Sequence, residues 1–118
     1  MERELAAALD PVLRDLAGPG GVLPDVRDET WDAPGMASAF LYAADGTGMG
    51  ISIEVGKPEY AQITALADQV QEWAVEALWS LRRPTNWPSC PEHPESHPLT
   101  AAESSGRALW VCPADGTE

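Results

Sequence analysis

Residues 49–83 read MGISIEVGKPEYAQITALADQVQEWAVEALWSLRR, and within this stretch the period of the apolar residues changes. Over residues 49–55 the apolar side chains alternate with Gly50, Ser52 and Glu54, which is the two-residue period of a half-buried strand. From Pro58 to Arg83 apolar residues recur every three or four positions, which predicts a long helix with one apolar stripe. The stretch therefore predicts an α+β fold in which a long helix packs on a small antiparallel sheet.

The predicted helix has clear ends and two distinct sides. Pro58 suits a first helical position, Arg82 and Arg83 would complement the dipole in the last turn, and Pro84 ends the run. At 1.5 Å per residue the helix would be about 38 Å long, so either an end projects or part of the stripe covers a partner. We expect most of the apolar stripe to pack in the core of the domain rather than to form an interface with a partner. The polar residues that we expect on the solvent side are Gln62, Asp68, Gln69, Gln71, Glu72 and Glu76.

Weaker patterns precede this stretch. Residues 36–44 form a first hairpin strand, joined to residues 49–55 by Asp45-Gly46-Thr47-Gly48, a turn whose residues tolerate positive φ. Residues 2–17 predict an amphipathic helix in which Pro11 either causes a kink or begins a second short helix. Residues 22–32 are acidic and contain Pro24, which fits an irregular edge strand better than a central one.

Length and charge limit the class of protein. The 118 residues fit a single domain, 1–118, with an α-β-α core over 1–83 and a proline-rich connector and Cys/His hairpin over 84–118. The formal net charge of −12 disfavours binding to nucleic acids and to anionic membranes, and favours encounter with a basic protein partner. No apolar run is long enough to span a membrane, and the start of the chain does not resemble a signal peptide. We expect a cytoplasmic protein with reduced cysteines.

Both cysteines and both histidines fall in the last third of the chain, at Cys90, His93, His97 and Cys112. Cys90 and His93 have the spacing of a metal knuckle, and a proline directly follows each of the four residues. Residues 112–116, Cys-Pro-Ala-Asp-Gly, complete a pattern that resembles a degenerate zinc ribbon, with Asp115 where a second cysteine would stand. The resemblance covers about residues 90–116 and implies a structural zinc site.

The hairpin register bears on the choice of ligands. Residues 97–102 and 107–112 predict two short strands around Ser104-Ser105-Gly106. A turn centred on residues 104–105 places His97 opposite Cys112. A turn centred one residue later places Leu99 there and keeps His97 within diagonal reach. The preferred zinc ligands are Cys90, His93, His97 and Cys112, with Asp115 as the alternate ligand; metal-free side chains and a disulfide between the cysteines remain rival interpretations.

The sequence predicts no catalytic residues, because it contains no recognisable motif that combines a nucleophile, a general base and a group that orients the base. We therefore expect a non-enzymatic protein-binding or adaptor domain. The alternatives are an immunity or inhibitor protein that blocks a basic partner, and a zinc-dependent hydrolase; the long helix could also pair in a homodimer. The element order is similar to that of small chaperone-like or immunity-type binding domains. The candidate partner-binding residues are Trp79, Trp87, Asp25, Asp28, Glu29 and Asp32.

Overall fold

The computed structural model describes residues 2–18, 20–28, 34–91 and 97–113. Its elements, in chain order, are α1 (Arg3–Leu16), β1 (Asp25–Arg27), β2 (Met36–Tyr42), β3 (Gly48–Glu54), α2 (Glu59–Ser80), β4 (Thr100–Ser104) and β5 (Arg107–Val111). Strands β1, β2 and β3 form an antiparallel sheet in that order, and β4 and β5 form a separate hairpin. The α+β fold with a long helix on the sheets is thereby confirmed.

Helix α1 runs through Pro11 without ending. A proline inside a helix costs about 3 kcal/mol because it removes a hydrogen bond and crowds the preceding turn. The apolar face of α1 compensates, since its residues lie in the same core on both sides of the proline. Its buried residues are Leu5, Ala8, Leu9, Val12 and Leu16. Of the two alternatives at Pro11, the second short helix is therefore excluded.

The three-stranded sheet follows the sequence pattern closely. Leu41, Ile51 and Ile53 are buried, while exposed or half-buried residues alternate with them. Strand β1 lies at an edge, as the preceding Pro24 and the acidic character of this segment predict, and Val26 pairs with Leu41. The apolar face of this sheet therefore points to the helices.

Helix α2 packs against α1, β3 and both strands of the hairpin. At 22 residues it is about 33 Å long, and it ends before the two arginines. Arg82 takes a φ of 56°, and the N–H of Arg83 donates to the carbonyl of Leu78 at 2.9 Å, which closes the last turn. The expectation that Arg82 and Arg83 lie in the last turn is therefore wrong. No helix in the described part of the chain is long and apolar enough to cross a bilayer.

Two glutamines of the expected solvent side instead bind the sheet. Gln62 is 4% exposed, and its Nε2 donates to Oε1 of Glu4 and to the carbonyl of Glu54. Gln69 accepts from the N–H of Ser52 and donates to its carbonyl, at 2.9 and 2.8 Å. These contacts satisfy main-chain groups at the outer edge of β3, where no strand follows in the sheet.

Candidate metal centre

The connector after α2 reaches the C-terminal hairpin as a short antiparallel bridge. Ser89 pairs with Pro98, and the N–H of Leu99 donates to the carbonyl of Pro88 at 2.8 Å. Continuing this antiparallel register by one residue places Cys90 opposite His97. The first two ligand candidates are therefore neighbours because two segments pair, rather than because of their spacing in the sequence.

The hairpin turn brings the third candidate to the same place. Ser105 and Gly106 form a two-residue turn with φ values of 52° and 76°, both in the left-handed region. The register pairs Ser104 with Arg107 and Thr100 with Val111. One further step places Cys112 opposite Leu99, with His97 on the adjacent diagonal. The turn is thus centred one residue after Ser104-Ser105, which is the second of the two registers considered from the sequence.

These registers bring three potential metal-ligating atoms together. The Sγ of Cys112 lies 3.7 Å from Nε2 of His97, and the ligand atoms of Cys90, His97 and Cys112 all lie within 4.8 Å of one another. Ligand atoms around a tetrahedral zinc ion are about 3.3–3.8 Å apart, given bonds of about 2.0–2.3 Å. The Cys112–His97 separation already has this value, so the three residues could hold a metal ion.

The neighbouring residues bury the two cysteines and favour one tautomer of His97. Cys90 and Cys112 are each 1% exposed, whereas His97 is half-buried. Nδ1 of His97 lies 3.1 Å from the carbonyl oxygen of Pro98. A carbonyl only accepts hydrogen bonds, so this contact favours a proton on Nδ1 and leaves the lone pair of Nε2 directed to the cysteines. Such a second contact commonly orients a ligating histidine.

Residues outside the cluster hold its two segments against the helices. Nε2 of Gln71 donates to the carbonyls of Leu99 and Trp87, at 2.7 and 3.2 Å. The rings of Trp87 and Trp110 meet edge to face, with centroids 5.5 Å apart. Nε1 of Trp110 donates to Oδ2 of Asp15 at 2.9 Å, which connects β5 to α1.

The positioning roles of Gln71 and Asp15 were not identified from the sequence. One signal was available for Gln71, because it lies between apolar Val70 and Trp73 on the border of the helical stripe. Asp15 offered no such signal, since it lies 95 residues from Trp110 along the chain. A tertiary contact of this range leaves no local pattern.

The structure describes only some of the other sequence candidates. His93 and Asp115, the proposed additional ligands, lie outside the described residues, as do Glu29 and Asp32. Asp25 and Asp28 are exposed, and Asp25 accepts from Nε of Arg27 at 3.1 Å.

The two candidate tryptophans differ sharply in exposure. Trp79 is 77% exposed, whereas Trp87 is 3% exposed and packs between α2 and the hairpin. Trp79 therefore lies where a partner could reach it. Trp87 belongs to the core, and its indole is not presented at the surface.

Comparisons of the chain with protein-family models, with curated proteins and with solved structures find no match.

Proposed function

We propose that the protein is a non-enzymatic protein-binding domain in which a structural zinc ion holds the C-terminal hairpin in place. The observation that carries this proposal is the convergence of Cys90, His97 and Cys112 at the base of the hairpin. Cysteine sulfur and histidine nitrogen are the donor set that zinc prefers in structural sites. His93 is the proposed fourth ligand, since it lies three residues after Cys90.

A structural role fits the position of the cluster better than a catalytic one. A catalytic zinc ion keeps an open coordination position that substrate can reach, together with a general base. Here both thiols are buried to 1% exposure, and His97 is held by its neighbour's carbonyl. The cluster joins three segments of chain, so metal binding would contribute directly to the free energy of folding the hairpin.

An exposed apolar surface supports the binding role. Leu23, Trp79 and Leu81 are 61%, 77% and 48% exposed, and Leu23 and Leu81 line one groove of about 360 Å³. Large exposed side chains of this kind, and tryptophan above all, are enriched where proteins bind one another. We call these three residues the α2-end surface.

Zinc content tests the structural half of the proposal. Elemental analysis of protein purified with metal present should find about one zinc per chain. A chelator should then weaken the near-ultraviolet circular dichroism to which the Trp87–Trp110 pair contributes, because the hairpin loses its attachment. Less than about a tenth of an equivalent would contradict the zinc site. A chelated protein that keeps this signal but loses a hydrolytic activity would favour the hydrolase instead.

Site-specific crosslinking tests the binding half. A photoreactive residue in place of Trp79 should give a discrete crosslinked product in native lysate, whereas the same residue in place of exposed Glu72 on the same helix should not. Equal products at both positions, or none at Trp79, would count against the α2-end surface. If the partner is basic, as for an inhibitor of a basic active site, the yield should fall as ionic strength rises.

A further inference from the structure

A cleft of about 500 Å³ lies between α1 and strand β5, with α2 beneath it. Its floor is formed by Tyr60, Ile63 and Ala67, which share one side of α2. Val12 of α1 forms part of the opposite wall. All five consecutive residues 106–110 line the remaining wall. Side chains of one strand face alone could not do this, because they alternate, so the strand presents its edge to the cleft.

The turn fixes which main-chain groups of β5 point into the cleft. In an antiparallel pair, residues alternate between those bonded to the partner strand and those directed away from it. Because Ser104 and Arg107 close a two-residue turn, Arg107 and Leu109 bond to β4, whereas Ala108 and Trp110 direct their N–H and C=O groups outward. The bond from Leu99 to Pro88 confirms this alternation, since Leu99 points away from β5. Among the described residues, nothing pairs with the outward groups of Ala108 and Trp110.

Side chains or a neighbouring segment cover parts of two other strand edges. Gln69 satisfies both outward groups of Ser52 on β3. Pro88 and Gln71 satisfy the outward groups of Leu99 beside β4. Proteins usually cover or interrupt edges, because open ones pair with other chains. Among the described residues, the edge of β5 has no such cover at Ala108 and Trp110, and it lies beside an apolar floor.

Charges near the cleft favour a basic occupant. Asp15 and Glu59 line it and are exposed, and Arg107 is the one cation among its lining residues. The whole chain carries a net charge of −12, so the surrounding field is also negative. Together, the apolar floor and acidic rim match an extended segment in which apolar residues alternate with lysine or arginine.

We propose that an extended, basic and apolar segment of a partner protein adds as a third strand to the free edge of β5, between β5 and α1. This inference rests on the proposed protein-binding function and names a site for it other than the α2-end surface. Two N–H and two C=O groups, those of Ala108 and Trp110, would pair with the segment. Side chains on one face of the segment would contact Ile63 and Ala67, as in other cases of strand addition.

The probe for this site is a random nonapeptide library displayed on phage and selected against the zinc-loaded full chain. Ala108→Pro removes the outward N–H of Ala108 and adds a ring at the edge, but removes no bond to β4. Its matched control is Glu103→Pro, which makes the same change on β4 directly opposite Ala108 and leaves the β5 edge intact. Both variants are checked for zinc content and circular dichroism before use.

We expect selected peptides to alternate apolar with basic residues and to bind the parent and Glu103→Pro equally. Ala108→Pro should weaken them by about tenfold or more, since a main-chain bond is lost and the edge is obstructed. The double variant Asp15→Asn with Glu59→Gln should weaken binding and reduce its dependence on salt. Asparagine at position 15 retains an acceptor for Trp110, so the wall of the cleft is preserved.

Amide hydrogen exchange provides a second readout that needs no variant. Peptide binding should slow exchange at Ala108 and Trp110 by about tenfold or more, and should change Arg107 and Leu109 little, because β4 already protects them. This alternation distinguishes strand addition from simple occupation of the apolar floor.

Several results would overturn the inference. They are a selection that yields no peptide, equal affinities of Ala108→Pro and the parent, protection without alternation, and a dimer whose β5 edges protect each other without peptide. A partner crosslinked at Trp79 that binds Ala108→Pro normally would leave the binding function standing and refute only this site. Failure of zinc loading would be detected before any peptide is added, and would refute the metal site instead.

Discussion

Cys112 and His97 face each other across a strand diagonal, with Sγ and Nε2 3.7 Å apart. This separation follows from the two-residue turn at Ser105 and Gly106, since a shift of one residue would change the partner of every residue in the hairpin. The metal centre and the free edge of β5 therefore depend on the same turn. One local choice of backbone conformation determines both.

Replacement of Cys112 by serine should remove a zinc ligand. We expect the zinc affinity to fall by more than about 100-fold. Mutation of a residue that only hydrogen-bonds to a ligand already lowers metal affinity by about 10–100-fold, and loss of the ligand itself should cost more. Competition with a chromophoric chelator measures this affinity. Ser89→Ala, beside Cys90 and exposed, is the control and should bind zinc as the parent does. Parental affinity in Cys112→Ser would remove this residue from the ligand set.

Gln71→Ala should destabilise the protein by about 1–3 kcal/mol, because the part-buried carbonyls of Leu99 and Trp87 both lose their donor. Urea unfolding, followed by tryptophan fluorescence, measures the change. Glu72→Ala, exposed and adjacent on α2, should change the free energy of unfolding by less than about 0.5 kcal/mol. If the two variants were equally stable, Gln71 would have no role in holding the connector.

Trp110→Phe retains an aromatic ring against Trp87 but loses the hydrogen bond to Asp15. We expect a loss of about 1 kcal/mol, since the bond lies near the surface and its net contribution is modest. Trp79→Phe makes the same substitution at a residue that is 77% exposed, and should cost less than about 0.5 kcal/mol. Thermal unfolding of the two variants side by side decides whether the bond between β5 and α1 matters.

The stability of the protein should fall in acid partly through Glu4. The pKa of this carboxyl is lowered from its usual value of 4.5, chiefly by the hydrogen bond from the N–H of Gly56 and then by the one from the Gln62 side chain. A carboxyl with a lowered folded-state pKa contributes stability above its unfolded pKa, and this contribution is lost as pH falls through the folded value.

The Glu4→Gln variant should therefore show a shallower loss of stability below about pH 4.5 than the parent. Unfolding by urea at a series of pH values measures the slope. Asp45, whose pKa is lowered by Thr47, is present in both proteins and cancels from the comparison. Glu72→Gln should retain the slope of the parent. An unchanged slope in Glu4→Gln would show that its hydrogen bonds do not couple to folding.

Local patterns predicted most elements of the fold. The alternation over residues 49–55 and the stripe over residues 58–83 gave β3 and α2 with ends displaced by only a few residues. Patterns of this kind are intrinsic to each element, because side-chain period and burial are linked. At Pro11 the local pattern allowed either a kink or a second helix, and burial on both sides of the proline keeps one helix continuous.

The candidate site was only partly predictable. Residue type predicted the association of Cys90, His97 and Cys112 correctly, but not the bridge of Ser89 to Pro98 that brings the connector beside the hairpin. Polar character alone was also an insufficient guide to exposure. Gln62 is buried because it meets acceptors from α1 and β3, and such long-range pairing has no periodic signature.

The two sheets share no hydrogen bond in the described part of the chain, and each packs separately on α2. Among the described residues, the hairpin is therefore linked to the first sheet through the helices and through one shared core. Opening of the hairpin would break its contacts with α1 and α2, among them the Trp110–Asp15 hydrogen bond, but would break no backbone pairing within the first sheet. If a structural zinc ion holds the hairpin in place, access to the β5 edge would depend on the supply of metal. The backbone pairing of the first sheet would stay the same.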